Sequence, residues 1–141
     1  MCHTERFTGR ASAYQQYRLG YPAAEVTHTL REWTGLRSAD TVADIGAGTG
    51  MLTELFLNNG NPTIAIEPNA EMQAACAAQY GGHSNLTLVD ATAEATTLSD
   101  HSVDLIAAGR AFHWFDHARA LPEFQRILKS GGWVALVSRA I

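Results

Sequence analysis

Three glycines alternate with other residues in one short stretch, Asp44-Ile45-Gly46-Ala47-Gly48-Thr49-Gly50. The stretch follows an apolar run typical of a buried strand and precedes residues with helical spacing. Glycines permit a sharp turn and let a ligand approach backbone N–H groups closely. A strand–helix connection without a ligand does not require three of them. We therefore predict a ligand-binding turn, with contacts from Gly46, Ala47, Gly48 and Gly50.

Two acidic residues indicate which ligand this turn binds. The dinucleotide fingerprint is Gly-x-Gly-x-x-Gly, but here Gly50 comes one position early and Met51 occupies the expected place. A carboxylate such as Asp44 is unfavourable beside a phosphate and suits a ligand with an ammonium group. Glu67 follows the turn by about 20 residues and ends the next apolar run, where a carboxylate can bind both ribose hydroxyls. The pattern favours a ribose-containing ligand with an ammonium group, and a nicotinamide cofactor is the alternative.

The elements that must position these residues alternate between strands and helices. Apolar and β-branched runs predict five strands, at 41–45, 63–67, 86–89, 103–107 and 133–137. Strands that alternate with helices form a parallel sheet covered on both faces. Right-handed crossovers make such a sheet doubly wound. The predicted fold class is therefore α/β, with a Rossmann-like, mostly parallel sheet.

Four amphipathic helices are predicted around these strands. They are recognised by apolar residues at helical spacing, by residues that begin or end a helix, or by both. The defining residues are, in chain order, Pro22 with Val26, Leu30 and Trp33 on one face; Met51, Leu52, Leu55 and Phe56; the cap Asn69, with a stop at Gly81-Gly82; and Leu121, Phe124, Ile127 and Leu128, with a stop at Gly131-Gly132.

Composition restricts the classes of function. The 141 residues correspond to one domain, and the net charge of −4 without a basic block argues against nucleic-acid and membrane partners. No apolar run approaches the ~20 residues that span a bilayer, and the acidic balance favours a cytoplasmic protein. Cys2 and Cys76 lack zinc-ligand spacing, and the pair His113 and His117 straddles a predicted helix start, so no metal site is expected.

With these residues in hand, the chain resembles class I S-adenosylmethionine-dependent methyltransferases, in the small-molecule branch called methyltransferase type 11. Asp44 to Gly50 resembles motif I of that family, and Glu67 resembles its acidic ribose ligand. The segment 90–94 resembles the turn that holds the adenine. Members often have aspartate where Thr92 stands, so the resemblance implies that the Thr92 hydroxyl or the Ala93 backbone N–H contacts the adenine amino group.

Two further segments are similar to this branch. Residues 7–22 resemble its N-terminal cap, in which Tyr14 and Tyr17 either close over the cofactor or pack on the sheet. Residues 111–116 resemble the segment that lines the cofactor pocket and faces the substrate. Within it, His113 is the candidate general base, since imidazole titrates near neutral pH. A structural histidine beside Trp114 is the alternative for that residue.

The resemblance implies one domain over residues 1–141, with a cap at 1–35 and a Rossmann-like core at 36–141. The family fold has seven strands in the order 3-2-1-4-5-7-6, and this sequence stops just past strand five, so we expect the last two strands to be missing. Strand five would then be a free apolar edge, which predicts self-association. The implied function is methyl transfer from S-adenosylmethionine to a small-molecule acceptor. The alternatives are a non-catalytic cofactor-binding fragment and an NAD-dependent oxidoreductase.

Overall fold

The computed structural model describes residues 23–137, so the predictions for the cap residues 7–22 lie outside the described part of the chain. Helices and strands alternate along these residues, as the sequence predicts. The elements are α1 (Ala23–Thr34), β1 (Val42–Ile45), α2 (Met51–Asn58), β2 (Thr63–Ile66), α3 (Ala70–Tyr80), β3 (Leu86–Val89), β4 (Val103–Ala108), a 3₁₀ helix (Arg110–Trp114), α4 (His117–Ile127) and β5 (Leu128–Leu136). The first four strands agree with the predicted ranges to within one residue.

The five strands form one parallel sheet in the order β3-β2-β1-β4-β5. The predicted α/β class and strand order are therefore confirmed. The chain moves from β1 to β2 and β3 in one direction and returns to β4 on the other side of β1. Asp44 near the end of β1 pairs in register with Ala65 of β2 and Ala107 of β4. In open α/β sheets, the crevice at such a reversal is the usual ligand site.

Apolar side chains cover both faces of the sheet. On one face, α1 and α2 pack on β1 and β4. On the other face, α4 packs on the opposite side chains of the same strands. The resulting core positions the carboxyl ends of β1, β2 and β4 next to one another. In residues 23–137, no helix is both long and apolar enough to cross a membrane.

The end of α4 differs from the prediction. The helix does not continue to Gly131-Gly132 but ends at Ile127, and β5 begins at Leu128. The loop before β4 ends the helix, because the amides of His101 and Ser102 bind the carbonyls of Arg126 and Ile127. The two glycines instead lie within β5, where the pairing with β4 shifts register. A glycine inside a strand often marks such an irregularity.

The predictions that Trp33 and Leu121 belong to buried helix faces are also wrong. Trp33 does not join the buried face of α1, since 74% of it is exposed. The buried face follows positions 26, 30 and 34, an i, i+4 series that leaves Trp33 to one side. Leu121 is half-exposed as well, so the core contact of α4 is made by Phe124 and Ile127.

Candidate functional site

The glycine turn is fastened to the end of β2. The backbone amides of Gly46 and Ala47 both donate to the Ile66 carbonyl, at 2.8 and 3.0 Å, and the Gly50 amide donates to the Ala47 carbonyl at 3.0 Å. Gly46, Gly48 and Gly50 have φ of +73°, +61° and +97°. Residues with a Cβ rarely adopt this left-handed conformation. The alternation of glycines thus follows from the path of the backbone.

The surroundings of these glycines differ. A Cβ built on Gly46 would lie 2.5 Å from the Ala111 Cβ, and one on Gly50 would lie 2.9 Å from the Cys76 Sγ. These two positions let neighbouring segments pack against the turn. A Cβ on Gly48 would meet only the Met72 Cε, at 3.9 Å. The turn is therefore open at Gly48, where a ligand can approach the backbone.

Glu67 connects the turn to the next helix. Its Oε1 accepts a hydrogen bond from the Gly48 amide at 2.7 Å, and its Oε2 accepts one from the Asn69 amide at 2.9 Å. Asn69 caps α3 as predicted, with its Oδ1 accepting from the Met72 amide. Burial raises the pKa of the Glu67 carboxyl, while its two backbone partners oppose the rise. Each carboxylate oxygen retains acceptor capacity, so ribose hydroxyls can still bind.

Asp44 is the second buried carboxyl at this end of the sheet. Thr53 of α2 donates its hydroxyl to the Asp44 Oδ2 at 2.6 Å. Burial, with a smaller contribution from the charge of Glu67, raises the pKa of Asp44 to about 7, although the Thr53 hydrogen bond lowers it. Among residues 23–137, neither Asp44 nor Glu67 forms an ion pair with a basic side chain.

The turn after β3 lies beside the segment that follows β4. The Ala95 amide donates to the Thr92 carbonyl at 3.2 Å. Thr92 is exposed, whereas Ala93 is buried in the core. Glu94 accepts a hydrogen bond from the Asp116 amide at 2.8 Å. This bond joins the predicted adenine-binding turn to the segment expected to face the acceptor.

The segment after β4 carries the candidate base. His113 is exposed in the 3₁₀ helix at the carboxyl end of the sheet. Phe112 packs against the core and stacks on the His117 ring with 4.4 Å between centroids. The His117 Nε2 lies 2.9 Å from the Phe112 carbonyl oxygen, so this imidazole is engaged locally. No group of three or more possible metal ligands occurs within residues 23–137.

A second concavity lies at the amino end of the sheet. It has a volume of about 170 Å³ and is lined by residues of four segments, among them Asp40, Asp104, Gly131 and Trp133. Its carboxylates have local structural partners, because Asp40 accepts from the Arg37 amide and Asp104 from the Thr41 amide. This groove is separate from the crevice at the glycine turn.

Two hydroxyls of the site are not apparent in the sequence pattern. Thr53 lies nine positions after Asp44, a spacing that belongs to no motif, and its role emerges only when α2 packs on β1. Thr49 lies within the glycine turn, and its Oγ1 is the one buried side-chain polar atom of the described residues that lacks a hydrogen-bond partner. A buried hydroxyl without a partner is energetically costly. A bound ligand or an ordered water would satisfy it.

Comparisons with known proteins agree with this geometry. Residues 43–136 match a protein family described as a methyltransferase domain. An uncharacterized methyltransferase of Mycobacterium tuberculosis is 35% identical over 131 residues, which cover 93% of this chain and 51% of that protein. A malonyl-[acyl-carrier protein] O-methyltransferase of Marinomonas sp. is 32% identical over 133 residues, 92% of this chain and 48% of that protein. The chain thus spans about half the length of these relatives.

A solved structure shares the fold. It comes from Methanococcus maripaludis and is assigned as an S-adenosyl-L-methionine-dependent methyltransferase. The TM-score is 0.79 with 23% identity, over 96% of this chain and 63% of the other. The Rossmann-like architecture predicted from the sequence is the architecture of this structure.

Proposed function

Because the chain belongs to the methyltransferase domain family, we propose that it binds S-adenosylmethionine and transfers its methyl group to a small-molecule acceptor. The observation that carries this proposal is the Glu67 carboxylate, which bridges the amides of Gly48 and Asn69 beside a turn that is open at Gly48. A buried carboxylate beside a turn whose backbone a ligand can approach suits a nucleoside with an attached amino acid. The residues present therefore fit this cofactor.

Each residue of the site has a proposed role. The backbone of Gly46, Ala47, Gly48 and Gly50 forms the floor, and Glu67 binds the ribose hydroxyls. Asp44 acts on the amino-acid end through its charge, and Thr92 or the Ala93 amide contacts the adenine. When bound, the cofactor supplies a methyl group activated by a sulfonium. The contribution of the chain is to align acceptor and methyl carbon, which accounts for much of the acceleration in such displacements.

His113 is the proposed general base. It is exposed in the segment next to the glycine turn, where an acceptor can reach it. Its imidazole would remove the proton that the acceptor atom loses on methylation. The Marinomonas relative is named for the O-methylation of a malonyl-[acyl-carrier protein]. For this chain we propose only the broader class, a small molecule with a protonated nucleophilic atom.

Isothermal titration with S-adenosylhomocysteine and with NADH tests the ligand. We expect S-adenosylhomocysteine to bind and NADH not to bind, since Met51 stands where a dinucleotide-binding site has its third glycine. Binding of NADH alone would overturn the proposal in favour of an oxidoreductase.

We also propose that the 141-residue chain self-associates through β5. Within residues 23–137, β5 is hydrogen-bonded to β4 alone. Trp133, Val134 and Leu136 of this strand are 49%, 39% and 55% exposed. A long apolar edge strand pairs readily with another chain, and a second copy of β5 offers a matching edge.

A further inference from the structure

We propose that Asp44 releases its proton when the positively charged part of the cofactor binds, so that the site exchanges a proton for the charge of its ligand. This inference rests on the proposed function and goes beyond it. It assigns to Asp44 a specificity role, the recognition of positive charge, and it predicts how affinity depends on pH.

The burial of two neighbouring carboxyls supports this proposal. Asp44 is 1% exposed and Glu67 is 6% exposed, and both carboxyls lie at the carboxyl ends of neighbouring strands. No basic side chain of the described residues is paired with either of them. Two buried negative charges without a counter-ion are costly, and such pairs normally hold a proton instead.

The proton belongs on Asp44 rather than on Glu67. Glu67 accepts backbone hydrogen bonds from two residues, which favour its ionised form. Asp44 is more deeply buried, and its hydrogen bonds among the described residues come from Thr53 alone, through the hydroxyl and the backbone amide. Among the described residues, the titratable groups that act on Asp44 are Glu67, directly after β2, and Cys76 of α3. The Cys76 thiol stays neutral because burial raises its pKa to about 12. The pKa of Asp44 itself lies at about 7. In the ligand-free chain, the pair therefore carries one proton below about pH 7.

A cation bound in the crevice favours the ionised form of Asp44 over the protonated form. Opposite charge nearby lowers the pKa of a carboxyl, so Asp44 ionises and its proton passes to the buffer. The cation is either the ammonium of the amino-acid end or the sulfonium. As pH increases, the affinity of the chain for the cofactor should rise up to tenfold per pH unit below about pH 7 and level off above it. The reason is that the ligand-free site must lose its proton for the complex to form.

Titration calorimetry in buffers of different ionisation enthalpy measures the released protons directly. At about pH 6.5 the α-amino groups of S-adenosylmethionine and S-adenosylhomocysteine are protonated, and we expect more than half a proton released per S-adenosylmethionine bound. S-adenosylhomocysteine lacks the sulfonium charge, and 5′-methylthioadenosine lacks both charges. Proton release with both S-adenosylmethionine and S-adenosylhomocysteine identifies the ammonium as the cation that ionises Asp44. Release with S-adenosylmethionine alone identifies the sulfonium. Equal release with all three compounds contradicts the proposal.

Variants connect the proton to Asp44. Asp44→Asn should bind with no proton release, whereas the matched variant Asp104→Asn, on β4 at the far end of the sheet, should release as much as the natural chain. If Asp44→Asn does not fold, Thr53→Val serves instead, because loss of that hydroxyl should move the release to higher pH. Unchanged release in these Asp44 and Thr53 variants would overturn the inference. Failure of all three compounds to bind would instead overturn the proposed function.

Discussion

The Glu67 Oε1 lies 2.7 Å from the Gly48 backbone nitrogen, so the carboxylate expected to bind ribose already holds the turn in place without a ligand. The Glu67 Oε2 makes a second bond of this kind to the Asn69 amide. Glu67 thus has a structural role in addition to its proposed binding role. These two bonds predict that Glu67 contributes to the stability of the ligand-free chain as well as to ligand binding.

The first prediction concerns substitutions of Glu67. Glu67→Ala should weaken S-adenosylhomocysteine binding by roughly 1.5–3 kcal/mol, the scale of a hydrogen bond to a charged group. It should also lower the melting temperature of the ligand-free chain, because the buried Asn69 amide and the partly buried Gly48 amide lose their acceptor. Calorimetric titration and thermal unfolding check the two effects. Glu67→Gln is the matched control, since its single amide oxygen can keep only one backbone bond, and its melting temperature should be intermediate. An unchanged dissociation constant in Glu67→Ala would exclude the ribose role.

The second prediction separates two glycines of the turn. Gly46→Ala and Gly48→Ala both impose a left-handed conformation on alanine, which costs about 1–2 kcal/mol. Only Gly46→Ala adds a clash, with Ala111, so it should destabilise the ligand-free chain by a further ~1–3 kcal/mol. Gly48→Ala should mainly impair cofactor binding, because its methyl group enters the open approach. Urea unfolding and titration compare the two variants, and equal stability losses would contradict the packing seen at Gly46.

The third prediction is a pH dependence of the ligand-free chain. Asp44 has a pKa raised from 3.8 to about 7, so the folded state binds its proton more tightly than the unfolded state does. The resulting stabilisation is complete below the unfolded value and disappears as pH rises through about 7. The melting temperature of the natural chain should therefore fall relative to that of Asp44→Asn between about pH 5 and pH 8. A constant difference over this range would show that Asp44 is ionised throughout.

The fourth prediction concerns the edge of the sheet. Val134 and Leu136 pair in register with Ile106 and Ala108 and so project from one face of β5. A Val134→Lys, Leu136→Lys double variant places two charges there, which opposes edge-to-edge pairing. Light scattering after size exclusion should show association of the natural chain and a monomeric double variant. A natural chain that stays monomeric at high concentration would contradict self-association through β5.

The sequence predicts the regular part of the molecule because the signals there are local. Asn69 caps α3 with its own side chain, and the glycines mark a backbone that only they adopt readily. The sequence predictions fail or are silent where contacts between distant segments determine the structure. The end of α4 is set by amides of the loop before β4, and the acceptor of the Thr53 hydroxyl is a carboxylate on another element. Such contacts leave no periodic pattern in the sequence.

The central claim is that the cofactor binds at the glycine turn beside Glu67, and amide NMR tests it most directly. During titration with S-adenosylhomocysteine, the resonances of Gly46, Gly48 and Gly50 should shift together with that of Asn69. Gly131 and Gly132, in the groove at the amino end of the sheet, serve as internal controls and should not move. Shifts confined to Gly131 and Gly132, or a glycine turn that does not respond to saturating ligand, would contradict the account.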